Sequence, residues 1–387
     1  MTAARWLVGD VFERLAQLPA GSVDCVITSP PYLQLRSYLP ADHPLKQHEI
    51  GQEDSPARFL EVLLWVMDAL WRVLSDDGTF WIILGDTHAG SGGAGGDYNP
   101  GGLREGQQRF DGTARKARKG RGGRPPGERT GRISKAERGQ VAYRRLGHGG
   151  GPLRDRATDE ALGVRPPRVR TRRMLPGWPA DQSVCWIPHL FGASLAYGHN
   201  LLTGTPHRQW VTRPPVTWCK LNPVVGRLTR TFRTATELVI YGGKHQGHYF
   251  DLDTLRVEPT HGYDLDDRVV PTLRHVPGQR RRMTNGRNGT RVNANPRGAP
   301  PLNWVVNCVP YRAAHYAVVP PQLVVRPVIA GCPPGGTVLD PFAGTGTTLA
   351  VATGHGRHGI GIDLDPANAE LARQRLGWLL DIDGATT

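Results

Sequence analysis

Two short stretches of the chain carry residue types that could do chemistry. The first is "ITSPPY" (27–32), directly after the strand-like run "VDCVIT". A Pro-Pro pair donates no backbone hydrogen bond and fixes two φ angles, so it ends the strand and stiffens the turn that follows. Ser29 and Tyr32 are then held in fixed directions, a hydroxyl and an aromatic face on a rigid support. On these residues alone, a strand-ending turn with a half-buried tyrosine reads the same way. The second stretch is "DPFAGTGTT" (340–348), between apolar "TVL" and an Ala-rich helical run. Gly344 and Gly346 permit a tight turn and close approach of backbone to a ligand, where a helix N-terminus offers unpaired N–H groups. About 20 residues on, "HGIGID" ends in Asp363, where a carboxylate can accept hydrogen bonds from ribose hydroxyls. A lone G-x-G also serves plain helix–strand packing. No Gly-Lys-Ser/Thr follows, so it is not a P-loop.

The elements that must position these stretches form an α/β pattern. "RWLVGD" reads as a strand ending in Asp10, "VFERLAQLP" as a short helix and "SVDCVIT" as a second strand. "SPARFLEVLLWVMDALWRVL" has apolar residues at helical spacing, with Ser55 as N-cap and Pro56 at the first helical position. "GTFWIILGD" is a buried strand. From Gly90 to about Arg173 apolar periodicity gives way to Gly, Arg and Pro, which predicts an insertion. Later, "SVCWIPHLFGASLAYGHNLL" predicts a helix, "TRPPVTWCKLNP" and "TELVIYGG" predict strands, and 337 onward reads strand, turn, helix, strand, helix.

Charge points to an anionic partner. The 387 residues hold 48 Lys and Arg against 34 Asp and Glu, a net charge of +14. Residues 104–173 hold 21 basic against 7 acidic residues, so the whole excess sits in one segment. A second run, 278–298, is basic and contains no acid. Such runs are either solvated or nucleic-acid contacts. Five scattered cysteines without a C-x-x-C pair argue for reduced thiols and a cytoplasmic setting, and against a zinc site or disulfide framework; no metal site is expected. No run approaches the roughly 18 to 20 apolar residues of a membrane span, and the first residues lack the apolar core of a secretory signal.

"SVDCVITSPPY" and "TVLDPFAGTGTTLAVA" together closely resemble the S-adenosylmethionine-dependent DNA amino-methyltransferases. Their order, catalytic motif first, is similar to the circularly permuted beta class. "GDVFERLAQLPAGSVD", "VTWCKLNP", "RTATELVIYG" and "HYAVVPPQLV" extend the resemblance to roughly 1–88 and 175–387. It implies an α/β Rossmann-like methyltransferase fold with a mostly parallel sheet, S-adenosyl-L-methionine as cofactor and double-stranded DNA as partner. Carried over residue by residue, Ser29 and the Pro30 carbonyl accept hydrogen bonds from the exocyclic amine of an extruded base. Pro31 stiffens the turn, and Tyr32 stacks on the base. In the cofactor half the resemblance implies Asp340, Phe342, Ala343, Gly344, Gly346 and Thr347 around the donor, with Asp363 at the ribose. It further matches Asp10 to an acidic residue near the adenine and His315 to a motif at the methionine end. A helix cap and a structural histidine are the plain alternatives for these two. Lys220, Asn222, Arg233 and Glu237 fall in family stretches as support or DNA contacts, with a structural salt bridge as the simpler reading.

Family members with Ser first in the tetrapeptide more usually modify N4 of cytosine, and those with Asp first N6 of adenine. The resemblance thus implies N4-cytosine methylation, with N6-adenine as the alternative, and a cognate restriction endonuclease as a further partner. Carbon methylation needs a thiolate, which related enzymes place in a Pro-Cys pair, and this chain has no such dipeptide. A non-catalytic nucleic-acid binder and an RNA or protein-amide methyltransferase are the readings from other classes. The expected organisation is a catalytic half (1–88), a basic insertion with a DNA-contact or target-recognition role (89–175), and a cofactor half (176–387) that includes a basic loop (260–300).

Overall fold

The computed structural model describes residues 2–35, 37–40, 42–89, 177–180, 182–223, 232–257, 299–308 and 318–383. In chain order it contains β1 (Ala4–Val8), α1 (Val11–Gln17), β2 (Val23–Thr28), α2 (Pro56–Val73), β3 (Leu74–Leu84) and α3 (Ile187–Tyr197). There follow β4 (Val211–Thr212), β5 (Val216–Cys219), β6 (Thr236–Gly243), β7 (Asn303–Val305), α4 (Pro321–Gly331), β8 (Thr337–Asp340), α5 (Thr347–Gly354), β9 (His358–Asp363), α6 (Pro366–Leu376) and β10 (Leu380–Asp383). The strands make one sheet in the order β10-β1-β9-β8-β2-β3-β6-β5-β7, with β4 paired to β6. Pairing is parallel except where β6 meets β3, β4 and β5.

Local chemistry accounts for the boundaries. The Ser55 hydroxyl accepts from the Arg58 N–H at 3.4 Å and Pro56 opens α2, as the sequence predicts. The first strand stops at Val8 instead of Asp10 because Asp10 turns back to cap α1, accepting from the N–H groups of Phe12 and Glu13. The helix expected over 183–202 is confined to Ile187–Tyr197 by Pro188 at its start and left-handed Gly198 at its end. The strand expected over 212–223 is split, since Pro214 and Pro215 interrupt the ladder between β4 and β5.

Helices cover both faces. On one, α1, α2 and α3 bury Leu15, Phe59, Leu64, Met67 and Phe191 against β2 and β3. On the other, Val324, Val328 and Ala352 pack on Ile27, Trp81 and Tyr241, and the rings of the last two stack at 4.4 Å. Strand β2 lies between β8 and β3 and buries Val23 and Val26 on one face and Cys25 and Ile27 on the other, the continuous apolar run of an interior parallel strand. Among the described residues no helix is long and apolar enough to cross a membrane, and no His, Cys, Asp and Glu cluster is arranged to hold a metal ion.

The predicted insertion (89–175) lies outside the described residues apart from Ala89, as does the basic loop 260–300 apart from Ala299 and Pro300. The chain departs and returns at one place: Ala89 donates to the Ser183 carbonyl and accepts from the Gln182 N–H, both at 2.8 Å.

Candidate active site

In a parallel sheet, loops at the carboxyl ends of the strands are the only stretches free to meet a ligand together. Here Gly9 follows β1, Ser29 follows β2, Pro341 follows β8 and Asp363 ends β9. Because β6 runs antiparallel, its first residues lie at that same end, and Glu237 with them; Lys220 follows β5 there. These segments surround one cavity of about 750 Å³. Of the residues singled out from sequence, Ser29, Pro30, Pro31, Tyr32, Asp340, Phe342, Ala343, Gly344, Thr347 and Asp363 all line it, as do Lys220, Asn222 and Glu237. His315 lies outside the described residues.

On the cofactor side, the Asp363 carboxylate accepts from the Gly344 N–H at 2.7 Å, and from the Asp365 N–H and the Asn368 side chain at 2.9 Å. Burial pushes its pKa up to about 7. The Gly-rich turn is thus tied directly to the acidic strand end. The Thr345 hydroxyl is buried in the cavity wall without a hydrogen-bond partner. Such a group awaits a polar ligand. Phe342 adds a half-buried apolar surface, so carboxylate, unpaired hydroxyl and apolar ring together fit a ligand with ribose, polar and adenine parts.

Two expected cofactor residues stand elsewhere. Gly346 is not in the cavity wall; it takes φ +73° at the start of α5, where a Cβ would lie 3.0 Å from the Ala372 methyl. Its need for glycine is met by turn and packing. Asp10 likewise is absent from the wall, although its neighbours Gly9 and Val11 are present; it caps α1 and lies 3.4 Å from His48 Nδ1.

Asp340 joins the two motifs. Its buried carboxylate accepts from the Thr28 hydroxyl at 2.5 Å, the Thr348 hydroxyl at 2.6 Å and the Phe342 N–H at 3.1 Å. Burial raises its pKa to about 6, against the pull of those donors. Thr28 immediately precedes Ser29, so one carboxyl group sets the register of the Ser-Pro-Pro-Tyr turn against the Gly-rich turn. Sequence reading did not single out Thr28, Thr345 or Thr348, because threonine at a strand end or helix start is too common to carry a signal.

On the other side, the Tyr32 hydroxyl donates to Glu237 at 2.8 Å, and Glu237 also receives the Lys220 ammonium. Lys220 lies 4.1 Å from the Trp218 ring centre. Burial, followed by the Glu237 charge, pushes the Tyr32 phenol pKa well up, against the lowering effect of the nearby Ser29 hydroxyl. The phenol therefore stays neutral and donates. Ser29 stands in the same cavity wall, where its hydroxyl oxygen can serve as an acceptor. Gly85 completes this wall, since a Cβ there would lie 2.4 Å from the Tyr32 ring. The Lys220–Glu237 salt bridge named as the simple reading is present, and it also fixes Tyr32.

A mostly parallel αβα sheet with a Gly-rich turn, an acidic strand end and a rigid Ser-Pro-Pro-Tyr turn around one cavity is a Rossmann-like methyltransferase fold. Residues 23–120 and 200–374 match the profile of the DNA methylase family (N6 and N4 methyltransferases), and the chain belongs to that family. Its methyl donor is S-adenosyl-L-methionine. The chain is 26% identical over 376 residues to the Type II methyltransferase M.Cfr9I of Citrobacter freundii, covering 97% of this chain and 88% of that one. It is 24% identical over 380 residues to M.SmaI of Serratia marcescens, covering 97% and 91%. Among solved structures it is similar to PvuII DNA methyltransferase (cytosine-N4-specific), at 14% identity, TM-score 0.44 and coverage of 96% and 86%. A putative DNA modification methylase of Thermus thermophilus is similar at 20% identity and TM-score 0.41, with coverage of 98% and 99%.

Proposed function

We propose that this DNA methyltransferase modifies the exocyclic N4 amine of a cytosine extruded from duplex DNA, as the modification half of a restriction–modification pair. The observation that carries the reading is that Ser29 and the hydrogen-bonded Tyr32–Glu237–Lys220 chain stand in the wall of the cavity that also holds the Gly-rich turn. Serine in the first position of the tetrapeptide favours cytosine over adenine.

S-adenosylmethionine, once bound, supplies an electrophilic sulfonium methyl group. The chain's own residues deal with the weak nucleophile. An aromatic amine has its lone pair delocalised into the ring, so attack requires a shift toward tetrahedral nitrogen. The Ser29 oxygen and the Pro30 carbonyl accept its two N–H groups and favour that geometry, more strongly as charge develops on nitrogen. Tyr32 holds its ring against the cavity, with its hydroxyl occupied by Glu237. Asp363 and the Thr345 hydroxyl would hold the ribose and a polar part of the donor, with Phe342 along its apolar part. Extrusion is needed because an amine inside the stack cannot meet a methyl group in line. The basic insertion would supply phosphate contacts.

The test is nucleoside mass spectrometry of unmethylated DNA incubated with the protein and labelled S-adenosylmethionine, with RNA in parallel. Labelled 4-methylcytosine is expected, and sequencing then maps the modified site. Labelled 6-methyladenine would overturn the base assignment. No label in DNA would overturn the reading altogether.

A further inference from the structure

Leu221 is 74% exposed although it stands between two residues, Lys220 and Asn222, that line the cavity. Solitary exposed leucines are ordinary on protein surfaces. What distinguishes this one is the rigidity of its backbone. The Lys220 N–H donates to the Ala235 carbonyl at 2.7 Å, closing the connection between β5 and β6. The Leu221 N–H donates to Asn307 Oδ1 at 3.2 Å. The Asn222 side chain both donates to and accepts from the Cys308 backbone, at 2.8 and 3.0 Å. Two strands thus hold Leu221 at the cavity rim while its side chain points away from any core.

The flanking sequence favours a polyanion. From Lys220 to Thr236 the sequence has Lys220, Arg227, Arg230 and Arg233 and no acidic residue. An apolar tip flanked in sequence by basic residues suits nucleic acid, whose charged backbone encloses apolar base faces.

We propose that Leu221 is the wedge that enters the base stack of duplex DNA at the place the target base vacates. This rests on the reading of the site as one that takes an extruded base. Extrusion leaves two unstacked base faces and a gap, and an apolar side chain inserted there restores contact and slows return of the base. A preset backbone lets the side chain do so with little ordering cost.

The role predicts a dependence on how firmly the target base is paired. The experiment is single-turnover methylation of two short duplexes carrying the mapped site, one fully paired and one with a mismatch opposite the target base. Leu221→Ala should slow the paired duplex roughly tenfold and the mismatched duplex by less than about twofold, since a mismatched base costs least to extrude. Leu221→Met should recover most of the rate. Leu202→Ala, which truncates a 45% exposed leucine remote from this connection in sequence, should match the wild type on both duplexes. Equal slowing on both duplexes, or no slowing on either, with the wild type active, would overturn the wedge alone. A wild type that leaves both duplexes unlabelled would overturn the underlying reading and the wedge with it.

Discussion

The two walls of the cavity are built in opposite ways. The cofactor wall is local: Asp340, the Gly-rich turn, α5 and Asp363 lie within 337–363, and the Gly344–Asp363 hydrogen bond spans 19 residues. The base wall is assembled from a distance: Tyr32 and Glu237 are 205 residues apart, and Thr28 and Asp340 are 312 apart. A strand–turn–helix unit carries its ligand geometry wherever it folds. An acceptor such as Ser29 gains its direction only from partners brought by the finished sheet. Variants of the cofactor wall should therefore change donor binding, and variants of the base wall should change transfer with donor binding intact.

The sharpest break of that contrast is Ser29→Ala. Losing one aligned hydrogen-bond partner of the transition state costs about 100-fold or more in kcat. Cofactor affinity by calorimetry should stay within about twofold, because Ser29 belongs to the other wall. Asp340→Ala attacks the joint between the walls. It leaves the Thr28 and Thr348 hydroxyls without their acceptor and should destabilise the fold by about 3 kcal/mol in chemical denaturation. Next is Tyr32→Phe, which keeps the ring and removes its hydrogen bond to Glu237. We expect kcat to fall about tenfold with DNA affinity nearly unchanged, as the hydrogen bond that anchors the ring to a carboxylate is lost; an unchanged kcat would show that Tyr32 needs no such anchor.

The pH dependence probes the cofactor wall and its joint with the base wall. Asp363 moves from 3.8 in the unfolded chain to about 7, and Asp340 from 3.8 to about 6. A carboxyl group with a raised folded pKa keeps a proton that the unfolded chain has released. Its stabilising effect is full below 3.8 and is lost as the pH rises through the folded value. The cofactor-free protein should therefore melt at lower temperature at pH 8 than at pH 5 on account of these two groups. Ribose hydroxyls donate to the ionised carboxylate, so cofactor affinity should rise with pH by up to about tenfold per unit below pH 7. Asp363→Asn should flatten that profile. The smallest effect is Thr345→Val. Its hydroxyl has no partner to lose, so stability should change by less than about 1 kcal/mol while cofactor affinity falls by about threefold to tenfold.

The local wall was legible in sequence because glycines, a following helix and an acid at a strand end fall within one readable window. Most of its expected residues line the cavity. Gly346 and Asp10 are of residue types that serve a turn or a helix cap as readily as a ligand contact. For the distant wall, sequence supplied Ser29 and Tyr32 on a rigid turn but not the partner that Tyr32 meets. Nothing in "SPPY" reveals that Glu237 will receive the Tyr32 hydroxyl, because that depends on the antiparallel course of β6. The strand ends misjudged at 5–10 and 212–223 have one cause: a cap or a proline pair overrides apolar patterning at the last residues of a strand.

The strand order also orders events in time. Strand β1 sits between β9 and β10, and β2 lies beside β8. A ribosome that has completed the first 300 residues has made Ser29, Tyr32, Lys220 and Glu237, yet neither neighbour of β1. Until the last strands are made, two early strands stand with open edges, exposed to mispairing. The donor-binding turn follows the base wall in chain order, so a nascent fragment that ends before β8 has Ser29 and Tyr32 but lacks the turn that would hold the donor.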